Sequence, residues 1–204
     1  EEWIIKFPAF DDRADIGKME YDYALCAKEC GVEMAKVRLF PSNRCSGYFG
    51  TKRFDRILGE GKTERIHMVS VSGLLETSHR IPNLDYELLM RLAMELTKDM
   101  RECEKMYRLM CFNVFAHNRD DHSKNFSFLY SEREDRWVLS PAYDLTYSNS
   151  IGGEHATTVN GNGEDPGIED ILAVAKSIGI STAKAKRIAL NVQECVRERL
   201  AGYL

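Results

Sequence analysis

A dense polar segment between two apolar ones restricts the possible folds of this chain more than any other feature. Residues 116–125 read Ala-His-Asn-Arg-Asp-Asp-His-Ser-Lys-Asn. Apolar residues at helical spacing predict a helix over about 103–117, and the apolar run 126–130 predicts a strand. Because both neighbours are core elements, the polar segment must emerge as a loop at the edge of the core, where functional residues are usually placed.

The charge balance and hydropathy argue against two classes of partner. The chain has 204 residues, 28 basic and 32 acidic side chains and a formal net charge of −4. This balance argues against direct binding to DNA or RNA, which depends on a basic surface. No apolar run approaches the length of about 18 residues that a membrane-spanning helix needs, and no signal peptide is recognisable. We therefore expect a cytoplasmic protein that does not contact membranes.

The six cysteines predict reduced thiols rather than a metal site. None of them forms a Cys-x-x-Cys pair. Cys26 and Cys30 share one face of a predicted helix, but no histidine lies beside them at the spacing of a zinc ligand. Buried, reduced thiols are typical of cytoplasmic proteins.

Hydrophobic periodicity predicts an α+β fold in two parts, with a change of character near Pro82. Residues 1–80 are expected to form a small mixed lobe, and residues 81–204 a mainly helical lobe. The first lobe should contain strands over 2–7, 34–40, 47–55 and 64–71 and a helix over 15–30. The second should contain helices over about 85–99, 103–117, 167–178 and 181–202, a hairpin of strands 126–130 and 136–140, and a mobile glycine-rich loop over 150–167.

The hairpin brings a second acidic segment towards the polar loop. Asp144 follows the second hairpin strand in the run Pro-Ala-Tyr-Asp, so the chain returns it towards residues 120–125. Asp120, Asn125 and Asp144 then converge as hard oxygen donors without a cysteine among them. This donor set favours Mg²⁺, which takes few protein carboxylates and completes its shell with water and phosphate oxygens.

Phosphoryl transfer is a reaction that needs these residues in this order. It uses a strand lysine held by a helix glutamate, a loop aspartate with an asparagine five residues later, and a further aspartate after a hairpin. Lys6, Glu20, Asp120, Asn125 and Asp144 supply the complete series. Lys6 is expected to lie within its strand and to pair with Glu20.

Spacing alone leaves a second enzyme class open. A metal-dependent phosphohydrolase would use His117, Asp120, Asp121 and His122 as ligands for two metal ions. That interpretation gives Lys6 and Asp144 no role.

At these motifs the sequence resembles the HipA family of bacterial serine/threonine protein kinases, the toxins of HipA/HipB-type toxin–antitoxin modules. The matching segments are Ile-Ile-Lys-Phe-Pro at 4–8, Arg-Phe-Asp-Arg at 53–56, Asn-Arg-Asp-Asp-His-Ser-Lys-Asn-Phe at 118–126, Trp-Val-Leu-Ser-Pro-Ala-Tyr-Asp-Leu at 137–145 and Val-Asn-Gly at 159–161. They follow the order of the family and cover most of the chain. The signature Asn-x-Asp-x-His-x-Lys-Asn is the most specific of them.

The resemblance implies a protein-kinase-like, two-lobed fold and a role for each motif residue. Asp120 would be the general base, Asn125 and Asp144 the magnesium ligands, and Lys6 the lysine that binds the ATP phosphates. Asp121 follows the catalytic aspartate at a variable position, so it should face away from the cleft and tolerate replacement by asparagine. The remaining nucleotide-pocket residues would be Glu20, the hinge residues Lys52, Arg53 and Phe54, and His122, Ser123, Lys124, Tyr143, Leu145 and Thr146.

The resemblance also implies partners and regulation. The substrate would be a protein, such as a translation factor or an aminoacyl-tRNA synthetase, and an antitoxin repressor of the HipB type would contact DNA on behalf of the pair. A separate protein could supply the small N-terminal subdomain of longer members. The family's glycine-rich loop, with its autophosphorylated serine, would lie before Glu1.

Three alternatives stay open beside this interpretation. One is a small-molecule or lipid kinase with the same catalytic parts. Another is a catalytically silent module that binds an antitoxin. For Arg53, Asp55 and Arg56, a salt-bridge network between the lobes competes with a role in binding.

Overall fold

A three-stranded antiparallel sheet with one helix across it forms the N-terminal part of the protein. The computed structural model describes residues 1–10, 12–59, 61–76, 84–150 and 152–204. Strands β1 (Trp3–Ile5), β2 (Val37–Phe40) and β3 (Tyr48–Lys52) pair in the order β1-β3-β2, and α1 (Ile16–Glu29) packs on β2 and β3. Lys6 follows β1 instead of lying within it, although its backbone N–H still donates to the Phe49 carbonyl at 2.9 Å.

Helix α1 approaches the sheet closely at a glycine. A Cβ atom on Gly17 would lie 2.3 Å from the carbonyl oxygen of Gly47 and 3.1 Å from the backbone nitrogen of Phe49. These are backbone atoms, which cannot move aside as the end of a side chain can. Gly17 therefore sets how near α1, and Glu20 on it, lies to the sheet.

We expect Gly17→Ala to lower the free energy of unfolding by about 1–3 kcal/mol, the usual cost of overpacking. Helix propensity alone would favour alanine by up to about 1 kcal/mol. A loss of stability would therefore show that the close contact outweighs helix propensity. Gly73→Ala is the matched control, because a Cβ there would meet only ordinary contacts at 3.6 Å or more. Urea unfolding of the two variants measures the difference, and equal stabilities would contradict this account of the contact.

The hairpin that precedes Asp144 shares its sheet with a strand from the first part of the chain. After the hairpin of β4 (Arg56–Leu58) and β5 (Thr63–Arg65), strand β6 (Met68–Ser70) pairs with β8 (Ser127–Ser131), which pairs with β9 (Arg136–Leu139). The single strand predicted over 64–71 is therefore two strands followed by the short helix α2 (Val71–Leu74). Pro82, near the predicted boundary, lies outside the described residues.

Four helices build the second part around one core. They are α3 (Tyr86–Thr97), α4 (Met100–Phe115), α5 (Ile168–Ser177) and α6 (Thr182–Leu200), close to their predicted positions. The core methionines Met106 and Met110 of α4 are fully buried, and α4 packs against α3 and α6. Helix α6 also packs against α1, which joins the two parts of the protein. None of the helices in the described part of the chain combines the length and apolar character needed to cross a bilayer.

The glycine-rich segment predicted as a mobile loop contains a strand and a dense set of hydrogen bonds. Strand β10 (Thr157–Thr158) pairs in parallel with β7 (Leu84–Asp85). The N–H of Ala156 donates to the Arg119 carbonyl at 3.0 Å, and the N–H of Gly161 donates to Asp85 at 2.8 Å. The prediction missed this strand because hydrogen bonds, rather than buried apolar side chains, fix it.

Candidate active site

A cleft of about 280 Å³ lies where the N-terminal sheet and α1 meet the segment after the hairpin. Residues of β1, α1, β3 and β6 line it together with residues 142–145. Most of its wall is apolar, and three of its charged side chains, Lys6, Glu20 and Asp144, contact one another at what we call the charged end. The lining residues are Ile4, Lys6, Glu20, Ala24, Met34, Phe49, Thr51, Lys52, Arg53, Phe54, Asp55, Met68, Ala142, Tyr143, Asp144 and Leu145.

Two carboxylates hold Lys6 at the charged end of the cleft. Its ammonium group lies 2.5 Å from Glu20 Oε1 and also pairs with Asp144. Burial disfavours the charged form of Lys6, but the two carboxylates outweigh this effect and raise its pKa. Lys6 therefore presents a fixed positive charge, and the ion pair predicted with Glu20 is present.

Glu20 lies where burial disfavours the ionised form of its carboxyl group. Its residue is 6% exposed, and this burial raises its pKa although Lys6 acts in the opposite direction. A carboxyl group with a raised pKa in the folded state stabilises the fold less as the pH rises and it ionises. Holding Lys6 with a buried, ionised Glu20 therefore lowers the stability of the fold.

Ionisation of Glu20 should make the free energy of unfolding depend on pH, and Glu20→Gln should remove this dependence. Relative to the variant, the wild type should lose stability as the pH rises from the ordinary carboxyl value of 4.5 through the raised pKa of Glu20. Above that pKa the difference in stability between the wild type and Glu20→Gln should become constant. Urea unfolding of both proteins at a series of pH values measures it, and a difference that grows with pH would contradict the assignment.

The backbone at Asp144 adopts a conformation that few residues tolerate. Its φ is +60°, in the left-handed region that aspartate enters more readily than most residues. Two residues earlier, the N–H of Ala142 donates to the Glu33 carbonyl at 2.7 Å, which fixes the segment against the sequence between α1 and β2. Such strain is often found where a side chain must be aimed at a site.

Two aromatic rings line the cleft and contact each other. The rings of Phe54 and Tyr143 lie 5.7 Å apart at an angle of 35°. Met34 and Met68 line the same cleft. An apolar pocket that ends in a fixed cation suits a ligand with a flat, weakly polar part and an anionic part.

The arginines near the hinge form a local network rather than a bridge between the lobes. Arg53 makes two hydrogen bonds with the carboxylate of Asp55, at 2.8 and 2.6 Å, and Arg56 binds the same carboxylate at 2.5 Å. Arg56 also lies 3.6 Å from Glu2. All four residues belong to the first part of the chain, so the network stiffens the segment that follows β3.

The polar loop 117–125 lies beside the cleft and is tied to it through Tyr143. The Tyr143 hydroxyl donates to the Lys124 carbonyl at 2.6 Å, and Ser127 Oγ is also 2.6 Å away. The Asn125 side-chain NH₂ donates to the Asp120 carbonyl at 2.8 Å, which leaves its amide oxygen as the atom that can bind a cation. The Asp120 side chain is 57% exposed, with a carboxylate oxygen 3.8 Å from His122 Nε2.

The predicted nucleotide-pocket residues fall into two groups. Eight line the cleft: Lys6, Glu20, Lys52, Arg53, Phe54, Tyr143, Asp144 and Leu145. Five are not part of its lining: His122, Ser123, Lys124, Asn125 and Thr146. The first four of these belong to the adjoining loop, and Thr146 follows the last lining residue.

The donor set of this region fits Mg²⁺ and a phosphate-bearing ligand. Asp144 and Asn125 offer hard oxygen atoms, as Mg²⁺ prefers. The hydroxyl groups of Ser123 and Thr146 are shielded from solvent and have no hydrogen-bond partner among the described residues. Asn125 and Asp144 could hold the metal, and Lys6 could hold the phosphates.

Asp121 has a structural role that the sequence did not suggest. Its side chain is fully buried and accepts hydrogen bonds from the Tyr86 hydroxyl at 2.8 Å and the Thr157 N–H at 3.1 Å. His155 Nδ1 lies 3.0 Å from the same oxygen as Tyr86. The Tyr86 hydroxyl in turn accepts from Asn113, and these bonds fix the loop that carries Asp120. Asp121 faces away from the cleft as expected, and its burial in this network indicates that its replacement by asparagine would lower stability.

The buried position of Asp121 also removes the arrangement that a phosphohydrolase would need. Among the described residues, the one group of three or more His, Cys, Asp or Glu side chains close enough to share a metal ion is Cys26, Cys30 and Cys195. His117, Asp120, Asp121 and His122 do not form such a group.

Comparison with known proteins places the chain in a family. The model of the HipA-like C-terminal domain matches residues 1–200. The chain belongs to this family. The resemblance inferred from the motifs is thereby confirmed, and with it the kinase-like α+β fold.

Individual relatives agree with this placement in the HipA-like family. The chain is 25% identical over 170 residues to "Putative kinase Y4dM" of Sinorhizobium fredii, a match that covers 78% of the chain and 40% of that protein. A chain from the Shewanella oneidensis MR-1 complex of HipA, HipB and operator DNA matches with a TM-score of 0.76 at 19% identity, over 98% of this chain and 51% of that one. The Helicobacter pylori proinflammatory kinase CtkA matches with a TM-score of 0.59 at 13% identity, over 98% and 86%. The chain thus spans about half the length, or less, of two of these three relatives.

Proposed function

We propose that this protein is an ATP- and Mg²⁺-dependent kinase that phosphorylates serine or threonine side chains of a protein. The observation that carries the proposal is the placement of Lys6 between Glu20 and Asp144 at the charged end of an apolar cleft. Membership of the HipA-like family supports the same reaction.

The two ends of the cleft suit the two ends of ATP. The adenine would lie against the wall formed by Phe54 and Tyr143. The backbone N–H groups of Lys52 and Arg53 already donate to Lys36 and Glu2, so the N–H of Phe54 remains as the hinge donor to the adenine. Lys6 binds the phosphates, and Asn125 and Asp144 hold the Mg²⁺ that neutralises their charge.

Asp120 is the group that takes the proton of the attacking hydroxyl. Its carboxylate is exposed beside the cleft, where an incoming side chain can reach it. Its backbone carbonyl is held by Asn125, so the base and a metal ligand keep a fixed relation. In phosphoryl transfer the protein usually contributes a positioned base of this kind, together with groups that hold the phosphates and the metal ion.

We further propose that the partner of the protein is an antitoxin repressor of the HipB type. The similarity of the fold to the HipA–HipB–DNA complex supports this assignment. The net charge of −4 supports contact with DNA through the partner rather than directly. The other proposed partner is a protein substrate.

Transfer of labelled phosphate from ATP to a bacterial lysate tests the proposed reaction. Wild-type protein with Mg²⁺ should label proteins at serine or threonine, as identified by phosphoamino acid analysis. Lys6→Met should abolish labelling, whereas Lys28→Met, which changes an exposed lysine on α1, should not. Label in the lipid or small-molecule fraction alone would contradict a protein acceptor, and equal labelling by Lys6→Met would contradict the site.

A further inference from the structure

Three thiol groups from two helices meet at the junction between the two parts of the protein. Cys26 and Cys30 lie one turn apart on α1, and Cys195 lies on α6. Their sulfur atoms all lie within 4.8 Å of one another. All three are free thiols, and none lines the cleft described above.

The cluster is enclosed but accessible from one side. Cys26 and Cys30 are 1% and 7% exposed, whereas Cys195 is half-buried and offers a path from solvent. Apart from one another, the thiols of Cys26 and Cys30 contact the carbonyls of Cys195 and Val192, both at 4.0 Å. A thiol is a weak donor, so these long contacts hold the protons loosely.

We propose that Cys26, Cys30 and Cys195 form a three-thiolate binding site for a single soft metal ion, Cu(I). Thiolate ligands select soft ions such as Cu(I) over the hard cations that carboxylates bind. Structural zinc sites almost always have four protein ligands, and no carboxylate or imidazole of the described residues joins this group. Three thiolates without a fourth ligand therefore favour Cu(I).

The observed spacing fits such a site with little movement. In a trigonal site with metal–sulfur bonds of about 2.3 Å, the sulfur atoms lie about 4 Å from one another. The present separations of up to 4.8 Å need to shrink by less than about 1 Å. Binding replaces three S–H bonds by three metal–sulfur bonds and releases three protons, without a change in oxidation state.

Hydrogen bonding within the cluster favours loss of a proton from Cys26. The hydrogen bond with Cys30 lowers the pKa of Cys26, whereas burial and the carboxylate of Glu29 act in the opposite direction. A bound ion would fasten α1, which carries Glu20, to α6.

Anaerobic titration of the reduced protein with the Cu(I)–bicinchoninate complex tests the site. The wild type should remove one Cu(I) per chain from the coloured complex, and Cys195→Ala should lose this uptake. Cys45→Ala is the matched control, because Cys45 is also half-buried but lies outside the cluster. It should bind as the wild type does.

Circular dichroism of Cys195→Ala should show an intact fold, so that lost uptake reports the ligand. X-ray absorption at the copper edge should show three sulfur neighbours. Absence of uptake by the wild type, equal uptake by Cys195→Ala, two sulfur neighbours, or tight binding of Zn(II) with no uptake of Cu(I) would each overturn the proposal.

Discussion

Replacing Asp120 by asparagine is expected to lower the rate of phosphate transfer by about 10²–10⁴-fold, the usual contribution of a general base. The substitution keeps the shape of the side chain but removes the group that accepts the proton. The side chain is 57% exposed, and the hydrogen bond that holds this segment uses the backbone carbonyl. Stability and binding of Mg-ATP should therefore change little, and the loss should appear in kcat.

Asp135→Asn provides the control for this variant. Asp135 is an exposed aspartate in the turn between β8 and β9, with φ +50°, a conformation that asparagine tolerates equally well. Its removal changes the net charge by the same amount but should leave transfer unchanged. A fully active Asp120→Asn enzyme would show that another group takes the proton.

The neighbouring substitution Asp121→Asn should act on stability instead. It should lower the free energy of unfolding by about 1–3 kcal/mol for each buried donor that is left without an acceptor. Both carboxylate oxygens of Asp121 accept from donors: Tyr86 on one side and the Thr157 N–H on the other. An amide in either orientation would place its NH₂ group against a donor. The buried His155 would also lose its anionic neighbour.

Urea unfolding followed by circular dichroism measures this effect. The surface variant Asp165→Asn is a suitable control, since Asp165 is exposed. The two adjacent aspartates should thus give opposite phenotypes: Asp120→Asn a stable, inactive protein, and Asp121→Asn an unstable one. If Asp121→Asn proved as stable as the wild type, the buried network could not be what holds the loop in place.

The order of the residues along the chain was enough to predict the charged end of the cleft. Lys6, Glu20 and Asp144 are far apart in sequence, but each follows or lies on an element that the sequence pattern predicts. Periodicity locates such elements, and the hairpin that returns Asp144 has strands of ordinary length. The charged residues at this end of the cleft could therefore be predicted from local sequence patterns.

The network around Asp121 could not be predicted in the same way. Its partners Tyr86 and His155 are more than thirty residues away on either side, and β7 and β10 are strands of only two residues each. Polar side chains that satisfy one another leave no periodic pattern in a sequence. The segment with Thr157 was predicted to be a mobile loop because its hydrogen bonds leave no such pattern. In the structure, Asp121 and Asp85 accept hydrogen bonds from its backbone.

The third thiol of the cysteine cluster was missed because pairing of helices is not a local property. Cys26 and Cys30 are visibly on one helical face. Cys195 joins them only because α6 packs against α1. Nothing in the spacing of the cysteines indicates this contact.

Calorimetric titration of the protein with ATP, in Mg²⁺ and in EDTA, tests whether the cleft is a Mg-ATP site. We expect saturable binding in Mg²⁺ and much weaker binding in EDTA, because Asn125 and Asp144 reach the phosphates through the metal. Asp144→Ala should bind ATP weakly under both conditions, and Asp135→Ala should bind as the wild type does. Tight binding of ATP that is the same with and without Mg²⁺, or that survives in Asp144→Ala, would contradict the assignment of this cleft as a Mg-ATP site.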